Sequence, residues 1–108
     1  MFVKNSDVES QYAGERVTRK ILGTGGKLMM VEVTFEKGAV GSVHTHPHEQ
    51  VSYIANGSFE FDLNGEKQII SKGDSVYIKS DAPHGTVALE EGSIIVDIFS
   101  PIREDFLK

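Results

Sequence analysis

The stretch Gly38–Gly57, GAVGSVHTHPHEQVSYIANG, contains three of the four histidines in the chain and decides its fold. His44 and His46 are two residues apart, and in a β-strand side chains at this spacing leave the same face, about 6.6 Å apart along the backbone. Gln50 has the same parity, whereas His84 has to come from another part of the fold. Three imidazoles and an amide oxygen suit one divalent transition metal better than Ca²⁺ or Mg²⁺, which prefer cages of oxygen ligands.

The alternative interpretation of this stretch is a polar strand end whose histidines are merely solvated. It is disfavoured because the histidines fall in two motifs and none is scattered over the rest of the chain. His48 follows Pro47, and proline interrupts the hydrogen bonding of a strand. We therefore expect His48 at the rim of the site rather than among the ligands.

Two motifs of the chain resemble those of the cupin superfamily. Gly38-x5-His44-x-His46-x3-Gln50-x6-Gly57 resembles the first motif, with Gln50 where a Glu is usual. Gly73-x5-Lys79-x-Asp81-x2-His84 resembles the second, with Lys and Asp at positions that are commonly Pro and Gly. Glu49 offers a competing alignment with a shorter spacer, so the resemblance leaves the fourth ligand open between Gln50 and Glu49. It implies an all-β cupin, that is, a double-stranded β-helix or jelly-roll barrel.

The composition excludes several classes of protein. A chain of 108 residues is the length of one domain. Eleven basic and sixteen acidic residues give a net charge of −5, with no basic stripe of the kind that binds nucleic acid. There is no cysteine, no apolar core of signal-peptide length near Met1, and no apolar run of the ~18 residues that a membrane span needs. We expect a cytoplasmic protein that binds neither nucleic acid nor membrane.

Short strand-like runs separated by Gly or Asn-Gly turns recur about every 8–12 residues, a spacing typical of an all-β sandwich or barrel. We expect an N-terminal arm over residues 1–14 that lies along a sheet edge, either its own or a partner's, followed by a β-barrel over 15–100 and a C-terminal tail over 101–108 with one short helical turn. Within Lys27–Glu36, one face is wholly apolar and is expected to face a core: Met29, Val31, Val33 and Phe35. Asn56-Gly57 and Asn64-Gly65 both predict two-residue hairpins.

Asp97 lies inside the apolar run Ile94–Phe99, where an ionised carboxylate is costly unless it is paired or solvated. Phe99 has the same parity, so both side chains are expected to face the same space, and Arg103 follows shortly after. Two interpretations remain open. The three residues can serve as acid/base, wall and anion anchor of a binding pocket, or Asp97 and Arg103 can form an ion pair that tethers the tail.

A narrower resemblance covers RKILG at 19–23, LMMVEV at 28–33, HTHPHEQ at 44–50 and DIFSPIREDFL at 97–107. These segments are similar to the KdgF-type pectin-degradation proteins. The resemblance implies a metal-dependent enzyme, commonly a homodimer, that converts small anionic sugars, the 4,5-unsaturated monouronates released by pectin or alginate lyases, from the ring form to the open-chain keto form.

In this family the metal ligands fall on His44, His46, Gln50 and His84. The catalytic carboxylate falls on Asp97, with Phe99 and Arg103 as its partners in the substrate pocket. No redox change is required, so the single divalent metal can be Ni, Zn, Mn or Fe. Two alternative functions remain: a cupin dioxygenase that uses Fe(II), and a non-catalytic sugar-binding cupin.

Overall fold

The computed structural model describes residues 1–108. It contains ten β-strands: β1 Gln11–Gly14, β2 Val17–Gly25, β3 Leu28–Phe35, β4 Val40–His44, β5 Glu49–Asn56, β6 Ser58–Leu63, β7 Glu66–Ser71, β8 Ser75–Ile78, β9 His84–Ala88 and β10 Ser93–Ser100. Two 3-10 helices, Asn5–Asp7 and Glu104–Leu107, complete the secondary structure. Neither has the length or apolar character to cross a bilayer.

The strands form two antiparallel sheets that face each other. The larger sheet has the order β1-β2-β3-β10-β5-β8, and the smaller has the order β4-β9-β6-β7. Neighbours in each sheet are often distant in sequence, as in a jelly roll. The expectation of an all-β jelly-roll barrel is confirmed.

The core forms where the inner faces of the sheets meet. Along β3 the side chains of Met29, Val31 and Phe35 are buried, whereas Leu28 and Met30 on the other face are exposed, as expected from the period-2 alternation of a strand. Phe35 packs edge-on against Phe59 of the opposite sheet, with the ring centroids 5.0 Å apart. This contact joins the two sheets within the core.

Only one of the two predicted Asn-Gly hairpins exists. Asn64-Gly65 connects the paired strands β6 and β7, with positive φ at both residues. The hairpin at Asn56-Gly57 is wrong, because β5 belongs to the larger sheet and β6 to the smaller. Gly57 has a φ of +71°, and a Cβ there would lie 2.2 Å from the Ser93 hydroxyl. The glycine is needed for a close crossing between sheets, and this requirement produces the same local signal as a hairpin turn.

Both ends of the chain pack on the larger sheet. β1 pairs with β2 at the sheet edge, and the Asn5 side chain contacts Glu32 at 3.1 Å and Lys20 at 2.8 Å. At the other end, the short helix Glu104–Leu107 contains Phe106, whose ring lies 5.8 Å from that of Phe99. The tail therefore returns to the end of the barrel where the histidines lie.

Candidate metal centre and its cavity

The histidines reach one point from three different positions in the fold. β4 ends at His44, His46 lies in the following loop, and His84 begins β9 directly opposite His44. The prediction that His44 and His46 share one strand face is therefore wrong, because the loop around Pro47 breaks the strand first. The prediction that they lie together is right: His44, His46 and His84 each offer a ring nitrogen, and these nitrogens all lie within 4.8 Å of one another.

Backbone carbonyls orient each of the three rings. The Nδ1 atoms of His44, His46 and His84 lie 2.8, 3.1 and 2.9 Å from the carbonyl oxygens of Ser42, His48 and Ala82. Because a carbonyl oxygen only accepts, Nδ1 carries the proton in each ring and the lone pair is on Nε2. Such contacts to the outer nitrogen are the usual means of fixing a metal-binding imidazole.

Gln50 joins this group from β5, in the opposite sheet. Its Nε2 donates to the Ser52 hydroxyl at 2.9 Å and to Asp97 Oδ1 at 3.0 Å, which aims its carbonyl Oε1 at His46 Nε2, 2.9 Å away. Burial lowers the pKa of His46, an effect that the contact with Gln50 opposes. In the neutral ring, two lone pairs therefore face each other at Nε2 and Oε1. A cation between or beside them removes this repulsion.

His84 supplies a second sign that a ligand belongs here. Its Nε2 is buried and has no hydrogen-bond partner. Burial, the main cause, lowers the pKa of His84 to about 4, so the ring is neutral at physiological pH. A buried lone pair without a partner is costly. The residues present thus fit a divalent metal with three imidazoles and one amide oxygen.

The two neighbouring candidates lie away from this point. Glu49 projects from the opposite face of β5, is exposed, and accepts a hydrogen bond from the Tyr77 hydroxyl. The alternative that Glu49 replaces Gln50 as fourth ligand is therefore wrong, because strand alternation sends the two side chains to opposite faces. His48 offers its backbone carbonyl to His46, but its side chain lies outside the three-histidine cluster.

Asp97 lies one hydrogen bond away from the candidate metal ligands. It occupies the middle of β10, and its Oδ1 accepts from the Ser52 hydroxyl at 2.6 Å and from Gln50. Burial raises the pKa of Asp97 to about 6, and the hydrogen bonds from Ser52 and Gln50 limit the rise. The carboxyl group is therefore half-protonated near pH 6 and still about one-tenth protonated at pH 7, which suits a group that both takes up and releases protons.

The ion pair between Asp97 and Arg103 is absent, which contradicts that alternative. Arg103 instead makes two contacts with Asp105, from Nε to Oδ1 at 3.1 Å and from Nη2 to Oδ2 at 2.9 Å. The sequence separation of two residues within the tail allows this local pairing. Asp97 is thus left without a salt-bridge partner at the end of the barrel.

The candidate residues share a cavity of about 660 Å³, a size that suits small-molecule sites. His46 does not line it, although its ring touches Phe99 edge-on, with the centroids 5.7 Å apart. The other candidates all line it: His44, Gln50, His84, Asp97, Phe99 and Arg103. The cavity thus places a candidate metal centre, a carboxylate, an aromatic wall and a cation around one space.

Two further residues of the cavity were missed in the sequence. Ser52 is fully buried and connects Gln50 to Asp97; its place two residues after Gln50 on the same strand face was an available signal. Arg19 also lines the cavity, with its guanidinium 3.8 Å from the centre of the Phe106 ring. An arginine between Val17 and Ile21 on the inward side of a strand was the signal there.

Comparison with known proteins agrees with this geometry. The family model described as the cupin domain matches residues 31–99. The chain is 48% identical over 95 residues to the pectin degradation protein KdgF of Dickeya dadantii, covering 87% of this chain and 86% of that protein.

Two solved structures superpose closely on this fold. KdgF from Halomonas sp. is 40% identical with a TM-score of 0.95, over 98% of this chain and 97% of that one. An RmlC-like cupin from Shewanella frigidimarina is 39% identical with a TM-score of 0.92, over 97% of this chain and 94% of that one.

Proposed function

Since the chain belongs to the cupin family and is a relative of the KdgF-type pectin-degradation proteins, we propose that it is a metal-dependent enzyme that converts cyclic 4,5-unsaturated monouronates to their linear keto form. One observation carries the proposal. A carboxyl group with a raised pKa, Asp97, faces the same cavity as the three-histidine cluster and is hydrogen-bonded to Gln50 beside it.

His44, His46, Gln50 and His84 are the residues that would hold the metal. All four are neutral ligands, so none cancels the charge of a divalent ion, and this favours an anionic ligand in the cavity. When bound, the ion supplies Lewis acidity toward a hydroxyl or carbonyl oxygen of the substrate. The choice among Ni, Zn, Mn and Fe does not affect the proposed step, because no electron is transferred.

Asp97 is proposed to move the proton. In the reaction the bond between C1 and the ring oxygen breaks, C1 becomes an aldehyde as its hydroxyl loses a proton, and the ring oxygen becomes that of an enol. The enol then loses its proton while C4 gains one, so the product is an isomer of the substrate and no oxidant or reductant is consumed. Asp97 accepts a proton from oxygen and returns one to carbon, while Ser52 and Gln50 hold its Oδ1 in place.

Phe99 and Arg103 are proposed to contact the substrate. Phe99 is almost wholly buried beside His46 and gives the cavity a rigid wall. Arg103 places a positive charge on the same cavity, and its guanidinium carbon lies 5.1 Å from the centre of the Phe99 ring. A uronate carries a carboxylate that this charge attracts.

A turnover assay tests the proposal directly. The metal-loaded protein is mixed with 4,5-unsaturated galacturonate, and the ultraviolet absorbance of the C4=C5 bond is followed with and without a chelator. We expect the absorbance to decay faster than the spontaneous rate, and this acceleration to disappear when the chelator is added. In Asp97→Asn the catalysed rate should fall about 10²- to 10⁴-fold at unchanged metal content. Decay at the spontaneous rate with the metal-loaded wild-type protein would refute the function. Neither oxygen consumption nor binding without turnover, the two alternatives, is favoured by the relatives found.

We also propose that the protein is a homodimer. The outer face of the larger sheet carries an apolar row across four paired strands: Tyr77, Val51, Ile98 and Met30. Tyr77, Val51 and Met30 are 56%, 41% and 37% exposed, which is unusual for neighbouring apolar side chains unless another surface covers them. A second copy of the chain, expected from the family resemblance, would cover this row.

A further inference from the structure

Arg103 is only partly available to a ligand. Asp105 occupies the edge of its guanidinium formed by Nε and Nη2, which leaves only the edge formed by Nη1 and Nη2 for a ligand. The side chain is 12% exposed, so it cannot turn freely to present this edge in other directions. Asp105 also offsets the positive charge that Arg103 would offer to a substrate carboxylate.

Arg19 is in the opposite situation. It is half-buried, and no carboxylate lies within ion-pair distance of it. Its one hydrogen bond is long, from Nε to Gln11 Oε1 at 3.4 Å, and leaves Nη1 and Nη2 without protein partners. Burial, and then the charge of Arg103, lower the pKa of Arg19, with Asp105 acting in the opposite direction. The protein thus holds an uncompensated cation against its cavity, which is unfavourable unless an anion binds there.

Phe106 brings the two arginines together. The guanidinium carbons of Arg19 and Arg103 lie over its ring, at 3.8 and 4.2 Å from the centroid. This stacking fixes both planar groups while their edges remain able to bind. All three residues line the cavity that also contains Asp97.

We propose that Arg19 is a specificity-determining residue, and that its free terminal nitrogens receive the carboxylate of the uronate while Arg103, held by Asp105, adds charge from the other side of Phe106. This inference rests on the proposed function for the identity of the substrate. It assigns the recognition of the anion to β2, a strand that contributes neither a candidate metal ligand nor the proton-transfer group. An uncharged sugar of the same size gains nothing from this contact.

The test compares Arg19→Gln with Arg16→Gln in the metal-loaded protein. Arg16 is a matched control because it lines the same cavity but donates from Nη1 to the Lys37 carbonyl at 2.9 Å. Binding of galacturonate, a stable uronate that cannot react, is measured by calorimetry. We expect Arg19→Gln to weaken it about 10- to 100-fold, as for loss of a hydrogen bond between charged groups, and Arg16→Gln to leave it within about twofold. Arg19→Lys, which keeps the charge and loses the planar edge, should fall between them.

With unsaturated galacturonate, Arg19→Gln should raise KM by a similar factor and change kcat much less, because the contact is made in ground and transition states alike. Wild-type affinity and KM in Arg19→Gln would overturn the inference. The inference would also be overturned if Arg19→Gln lost its metal or its β-sheet circular dichroism spectrum to an extent that accounts for the weaker binding. Tighter binding in Asp105→Asn with no effect of Arg19→Gln would assign the anion to Arg103 instead. Galacturonate binding that depends on Arg19, in a protein without turnover, would refute the proposed function and leave this inference standing.

Discussion

Asp97→Asn should make the stability of the metal-free protein less dependent on pH. A carboxyl group with a folded pKa of about 6 and an ordinary value of 3.8 favours the native state when it is neutral. The stability that it contributes is present at low pH and is lost as pH rises through this window, because the unfolded chain releases the proton first. From low pH to pH 8, this contribution of Asp97 to the free energy of unfolding falls by about 3 kcal/mol, of which about 1.4 kcal/mol is lost between pH 5 and pH 8.

Asp97 keeps partial contact with the solvent of the cavity. We therefore expect its measured contribution to the free energy of unfolding to change by about 1 kcal/mol between pH 5 and pH 8. Urea unfolding followed by far-ultraviolet circular dichroism is the suitable assay, since the chain has no tryptophan. The free energy of unfolding of Asp97→Asn, relative to wild type, should rise by this amount from pH 5 to pH 8. A chelator is required throughout, because a bound cation would favour the ionised carboxylate.

Asp105→Asn is the matched control for this experiment. The hydrogen bond from Arg103 lowers the pKa of Asp105, so its contribution to stability is present above its ordinary pKa and is lost only as pH falls below that range. The difference in free energy of unfolding between Asp105→Asn and the wild type should therefore be constant between pH 5 and pH 8. If the Asp97→Asn difference is equally flat, Asp97 titrates in its ordinary range and the case for it as a proton-transfer group near neutral pH fails.

Two further predictions concern the metal and the assembly. His46→Ala should lose about one equivalent of divalent metal per chain by elemental analysis, whereas His48→Ala should retain it, since only His46 belongs to the three-histidine cluster; equal metal contents in the two variants would contradict the ligand set. Light scattering of the wild type at micromolar concentration should give about twice the 11.9 kDa mass of the chain. The variant Val51→Lys places a charge in the centre of the exposed apolar row and should be a monomer. A monomeric wild type would exclude the dimer.

Much of the fold could be predicted because strand alternation is a local property. The apolar set Met29, Val31, Val33 and Phe35 was assigned to the core from spacing alone. Met29, Val31 and Phe35 are buried, and Val33 is half-buried and packs against the core. The pairing of strands was harder to predict from the sequence. The signal at Asn56-Gly57 reports a positive φ, which a hairpin and a crossing between sheets both require, and only the packing of whole sheet faces decides between them.

The chemistry of the site can be read from residue types and spacing: histidines in two motifs, a glutamine among them, and a carboxylate in an apolar strand near the C-terminus. Which of these groups are paired and which are free depends on the folded structure. It excluded Glu49 by sending it to the other face of β5, paired Arg103 with Asp105 rather than Asp97, and placed Arg19 on the cavity without a carboxylate partner. Residue type sets what a side chain can bind. Its partners depend on distances between strands far apart in sequence, and these distances are set when the two sheets pack together.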